Sequence, residues 1–118
     1  MTQPYIVATQ KTGLSKYGGT LITITLIGIN DRQEYKTYID PRNHNFVNWQ
    51  HITQNPQNGF VIRSLKVKNK EKNLISADSK PIIEWEHDDP EVIIAQLEEI
   101  WREQDLQKTA TTFRDLFE

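Results

Sequence analysis

The sequence predicts a mainly β protein of the α+β class: a five-stranded barrel or strongly curved antiparallel sheet, with a short helix near 45–54 and a long C-terminal helix. Three observations carry this. Several segments dense in β-branched residues alternate apolar with polar positions, the pattern of strands that bury one face. Phe46, Trp49 and Ile52 recur at three-residue spacing between two such segments. Asp88-Asp89-Pro90-Glu91 then opens a run whose apolar residues return every three or four positions.

Taken in order, Tyr5-Ile6-Val7-Ala8-Thr9 reads as a first strand, followed by a Gly-rich loop from Thr12 to Gly19. Thr20 to Ile29 alternates Thr with aliphatics and is the strongest strand signal. Asn30-Asp31-Arg32-Gln33-Glu34 supplies turn chemistry, so Tyr35 to Asp40 should pair back on it as an antiparallel hairpin. Pro41 stops that strand, and the short helix follows with Asn43 or Asn45 as its cap. Phe60 to Lys68 alternates again as one strand, with Leu65 and Val67 facing the core and Lys66 and Lys68 facing water. Asn69 to Asn73 is a charged turn, Leu74 to Ala77 pairs back across it, and Pro81 to Glu86 is a further strand. The long helix starts with an Asp cap and Pro at its first position, and it runs over 90–108 before a break at Thr109-Ala110-Thr111-Thr112.

One domain over 1–108, followed by a short acidic segment at 109–118, accounts for the whole chain. Its 118 residues contain no cysteine, which excludes thiol catalysis, Cys-ligated metal and disulfide crosslinking and fits a reducing, cytoplasmic setting. The apolar stretch Leu21 to Ile29 is interrupted by Thr23, Thr25 and Gly28 and is too short to cross a bilayer of about 30 Å. Net charge is only −2, which argues against a histone-like coat. That total conceals a separation. Residues 59–81 hold six bases against two acids, whereas 84–118 hold eleven acids against three bases.

The order of strands and helices over about residues 5–86 resembles the OB fold, a five-stranded barrel with a helix between its third and fourth strands. That resemblance implies binding of single-stranded DNA or RNA on the face of the second and third strands. It also implies help from two loops, which correspond here to Lys11–Gly19 and Asn69–Asn73. Such binding needs cations along a groove and flat rings on which bases stack. The residues that would supply them are Lys16 and Tyr17 in the Gly-rich loop, Lys36 and Tyr38 on one face of the third strand, and Lys66, Lys68, Lys70 and Lys72 in the basic run. Each has an ordinary alternative: exposed lysines discourage edge pairing, and tyrosines pack barrel walls. The acidic end, with Phe113, Asp115, Leu116, Phe117 and Glu118, resembles the protein-recruiting tails of bacterial and phage single-strand binding proteins; a last helical turn docked on the core explains the same residues.

An enzyme is not expected, and no residue pattern calls for a cofactor or a metal. His44, His51 and His87 have no zinc spacing. Asp78-Ser79-Lys80, with Asp40 or Glu84, matches a nuclease element only as a short triplet. The other open reading is a protein-interaction module, such as a small phage or mobile-element protein that inhibits or adapts a larger complex. A homo-oligomer is a further expectation, since Trp101 and the terminal Phe residues could bury against a second copy.

Overall fold

Backbone hydrogen bonds must be satisfied wherever water is excluded, and this chain does so mostly in one sheet. The computed structural model describes residues 3–117, with side chains described as far as Leu106. Strands β1 (Tyr5–Leu14), β2 (Thr20–Gly28) and β3 (Glu34–Ile39) form an antiparallel meander. A 3-10 turn over His44–Asn48 and the short helix α1 (Gln50–Gln54) follow. Then come β4 (Gly59–Arg63), β5 (Val67–Asn69), β6 (Leu74–Ile75), β7 (Ile82–His87) and the long helix α2 (Pro90–Phe117).

The strands lie in one sheet in the order β5-β6-β3-β2-β1-β4-β7, antiparallel except for the parallel pair β3 and β6. That order requires curvature. Strand β4 lies next to one edge and β5 forms the other, yet only Ser64, Leu65 and Lys66 separate them in sequence. Four residue steps span at most about 14 Å, so the sheet must curl until its two ends nearly meet. The product is a seven-stranded half-barrel, not the five strands expected.

The difference arises at Ser64. Its φ of 68° is left-handed, which ends the continuous strand expected over Phe60–Lys68. Leu65 stays fully buried, but Val67 is 43% exposed where the alternation placed it in the core. The Lys66 backbone bridges the break, its N–H donating to Ser79 Oγ at 2.8 Å and its carbonyl accepting from the Ser76 N–H at 2.8 Å. A second difference concerns β1, which continues through Leu14 and takes up residues expected in the loop. Pairing of Lys11, Gly13 and Leu14 with Thr23, Leu21 and Thr20 satisfies their backbones although most of these side chains contact water.

Inside the half-barrel, Tyr5, Ile24, Leu26, Tyr35, Ile39, Phe60, Ile62 and Leu65 meet Trp49, which joins the 3-10 turn to α1, and Ile52 of α1. Trp49 is completely buried and its Nε1 donates to the Ala77 carbonyl at 3.0 Å, so α1 closes one end. A second, smaller core lies outside the sheet, where Ile93 and Leu97 of α2 cover Ile6 and Ile29. Asp89 caps α2 as expected, with Oδ1 accepting the Glu91 N–H at 3.0 Å. The helix backbone runs without a break through Thr109–Thr112, in contrast to the expected interruption. Phe113, Asp115, Leu116 and Phe117 fall on its last turns, beyond the described side chains, and Glu118 lies outside the described residues.

Candidate nucleic-acid interface

Alternation along β3 sends Tyr35, Thr37 and Ile39 into the core and leaves Glu34, Lys36 and Tyr38 on the outer face. The ladder then decides which residues of β1 and β2 join them. Tyr38 pairs with Thr23, and Thr23 pairs with Lys11. Lys36 pairs with Thr25, and Thr25 pairs with Thr9. Two adjacent cross-strand rows on one face are therefore Lys11–Thr23–Tyr38 and Thr9–Thr25–Lys36. Tyr38 is 47% exposed, so part of its ring meets solvent above a floor of short threonines. Among the described residues, neither Lys11 nor Lys36 forms an ion pair.

Lys16 and Tyr17 sit at the tip of the β1–β2 hairpin, where Tyr17 is 90% exposed. Ser15 builds the turn: its Oγ accepts the N–H groups of Tyr17 and Gly19 at 3.3 and 3.1 Å, and Gly18 takes the left-handed φ of 81°. Arg42 lies beside it. Its guanidinium grips Asp40 through two bonds of 3.1 and 3.0 Å and lies so close over Gly19 that a Cβ there would be 2.7 Å from Nη2.

The four lysines of the basic run diverge. Lys66 is in the β4–β5 link, Lys68 lies where the β5–β6 register shifts, and Lys72 is in the turn, where its N–H donates to Asn69 Oδ1 at 3.1 Å; all three side chains are exposed. Lys70 turns toward its own protein. Its amine donates to the Tyr35 hydroxyl, lies 4.9 Å from the centre of the Tyr35 ring and 3.6 Å from Asp31 Oδ2. The Tyr35 hydroxyl in turn donates to Asp31 at 2.5 Å. The bond to Tyr35, with Asp31 nearby, raises the Lys70 pKa above its usual value. At Asp31, burial pushes the carboxyl up, but bonds from Tyr35, the Gln33 N–H and Gln3, together with Lys70, outweigh it and hold the pKa below the usual value.

Sequence reasoning did not single out Lys11 or Arg42. The sequence places Lys11 in the loop, and only the ladder brings it opposite Thr23; the period-two match of Thr9 and Lys11 is the available signal. The nuclease residues are engaged separately. Asp78 accepts from Asn45 Nδ2 at 2.8 Å, Ser79 is buried on the Lys66 N–H, Asp40 holds Arg42 and Glu84 holds Arg63. Among the described residues, no three His, Asp or Glu side chains gather as metal ligands. No helix among them is long and apolar enough to cross a membrane. Trp101 is engaged within its own chain, donating to the Ile29 carbonyl at 2.8 Å beneath Arg32, which lies 5.1 Å from its ring. No family model, curated protein or solved structure matches the chain.

Proposed function

We propose that this protein binds single-stranded nucleic acid, without catalysis, across the outer face of β1, β2 and β3. One observation carries the reading: the register gathers Lys11, Lys36 and Tyr38 around a threonine floor on a single open face. Phosphates would meet the two unpaired ammonium groups, and a base would stack on the free part of Tyr38. The Lys16–Tyr17 tip extends from this face, Lys68 on β5 and Lys72 in the turn after it would add further cations, and Lys70 serves mainly to hold that turn against Tyr35. Residues 1–30 contain no acid at all, which favours a polyanion along β1 and β2.

An OB-type barrel is the architecture we infer for this surface. Taking β4 and β5 as one strand bent at Ser64 leaves five strands before β7, with the short helix between the third and fourth. Fluorescence anisotropy with labelled single-stranded DNA, RNA and duplex at two salt concentrations tests the function. Salt-sensitive binding of single strands that weakens in Tyr38→Ala supports it, and absence of binding to all three refutes it. A protein-interaction role has its own support in α2. On that helix Leu106 is 63% exposed, next to the Arg32–Asp105 ion pair of 2.8 Å.

A further inference from the structure

The two ends of the half-barrel are built differently. Trp49 and α1 close the end at which β3 finishes, with the indole completely buried and bonded to the Ala77 carbonyl. At the other end, where β1 and β3 begin, a cavity of about 470 Å³ opens between the β2–β3 turn and the chain around β5. That is within the roughly 300–1,000 Å³ of small-molecule sites, which favour the mouths of barrels. Its rim is held in place. Gln3 Oε1 accepts the N–H groups of Asn30 and Asp31 at 2.9 and 3.1 Å, and Arg32 in the same turn pairs with Asp105 at 2.8 Å. Tyr35 reaches the cavity from the core side of β3, so the site is separate from the outer face that carries Lys36 and Tyr38.

Hydrogen bonding and charge specify what fits there. The carboxylate in the wall is already engaged: Asp31 Oδ1 accepts the Gln33 N–H at 3.0 Å and Oδ2 accepts the Tyr35 hydroxyl at 2.5 Å. Donors are in surplus. Lys70 spends one N–H on Tyr35 and its amine is 3.6 Å from Asp31, beyond hydrogen-bond reach, which leaves the rest of the ammonium open. Lys66, on the same wall, has no ion-pair partner among the described residues. Among the described lining residues, two lysines against Asp31 leave an excess of one positive charge. Beside them lies Val67, 43% exposed and part of neither core. Cations and apolar surface therefore share one concave wall. We propose that this mouth binds a small organic monocarboxylate, with its carboxylate held by Lys66 and Lys70 and its compact apolar body against Val67. A phosphate monoester, which carries roughly two negative charges at neutral pH, would bring its second charge near Asp31 with no cation left to balance it. The inference stands independently of single-strand binding.

The test titrates the full chain, labelled with nitrogen-15, with benzoate, acetate, benzyl alcohol and phenyl phosphate while amide shifts are followed by NMR. Benzoate should saturate and move the amides of Asn30, Asp31, Lys66, Val67 and Lys70. It should bind about 10-fold tighter than acetate, which lacks the apolar body, and than benzyl alcohol, which lacks the charge. Phenyl phosphate should bind more weakly than benzoate. Lys66→Gln should weaken benzoate about 3- to 5-fold, the effect of losing one exposed ion pair, and leave the urea midpoint unchanged because this side chain is exposed. Lys70→Met should abolish saturation; since it also releases the turn from Tyr35, the Lys66 variant decides. Replacing Lys11 and Lys36 by Gln should not alter benzoate affinity. Shifts that never saturate, equal affinity for acetate, tighter binding of phenyl phosphate, or unchanged benzoate affinity in Lys66→Gln would each overturn the proposal. Single-strand affinity is measured separately on the same protein, so failure of this site and failure of the outer face are told apart.

Discussion

Replacing Lys11 and Lys36 together by Gln separates the charge of the outer face from its shape. Both side chains are exposed, so the substitutions should leave stability within about 0.5 kcal/mol. Each ammonium that neutralises one phosphate contributes roughly 0.7 to the slope of log K against log salt on a single strand. The double variant should therefore bind with a slope shallower by about 1.4. With affinities equal near 1 M salt, that difference amounts to about 25-fold weaker binding at 0.1 M. Anisotropy titrations at four salt concentrations read slope and intercept together, with Lys80→Gln, in the loop before β7, as a control that removes one charge elsewhere, to be compared per charge removed. An unchanged slope in the double variant, or an equal change per charge in the control, would refute the argument that these rows carry the phosphates.

Four further outcomes follow from other parts of the structure. Tyr38→Ala should lower affinity by about 1–3 kcal/mol at every salt concentration with the slope unchanged, because stacking releases no counterions. Lys70→Met should leave the salt slope close to that of the unaltered protein yet lower the urea midpoint, since its amine is held by Tyr35 and Asp31. Trp49→Ala should cost about 3–5 kcal/mol in urea unfolding, because a fully buried indole and its bond to Ala77 are lost together. Acidification reports on Asp31. Its carboxyl holds a proton less tightly when folded than when unfolded, so its contribution is complete above about pH 4 and disappears as pH falls through the lower folded value. Asp31→Asn should flatten the stability profile in that acid window.

The acid-rich helix and the basic turn explain why net charge is a poor guide here. With 14 bases and 16 acids, the chain looks neutral. The structure puts much of the acid on α2, where Glu98, Glu99 and Glu103 are exposed, while β1 and β2 themselves contribute Lys11 and no acid to the outer face, whose exposed carboxylate from β3 is Glu34. A ligand within about 10 Å of that face meets a local field set by Lys11 and Lys36 against Glu34, since charges beyond a Debye length are largely screened.

Local chemistry made the elements themselves legible in the sequence. β-branched alternation marked β2 and β3, the Asp-Pro start marked α2, and period two correctly put Lys36 and Tyr38 on one face and Tyr35 on the other. What alternation alone could not supply was the partner of each strand. A one-residue change of register exchanges the two faces of a strand, and register is set by what packs beneath it. Only the folded ladder brings Lys11 to Tyr38, and only the left-handed Ser64 divides one expected strand into β4 and β5. Lys70 makes the same point for charge. Its neighbours in sequence are lysines and a glutamate, but its partners are Tyr35 and Asp31 from across the sheet. Composition thus determined that the chain would form a β-rich body with a basic region, and tertiary contacts decided which of those bases face outward, because burial and pairing act between residues far apart in sequence.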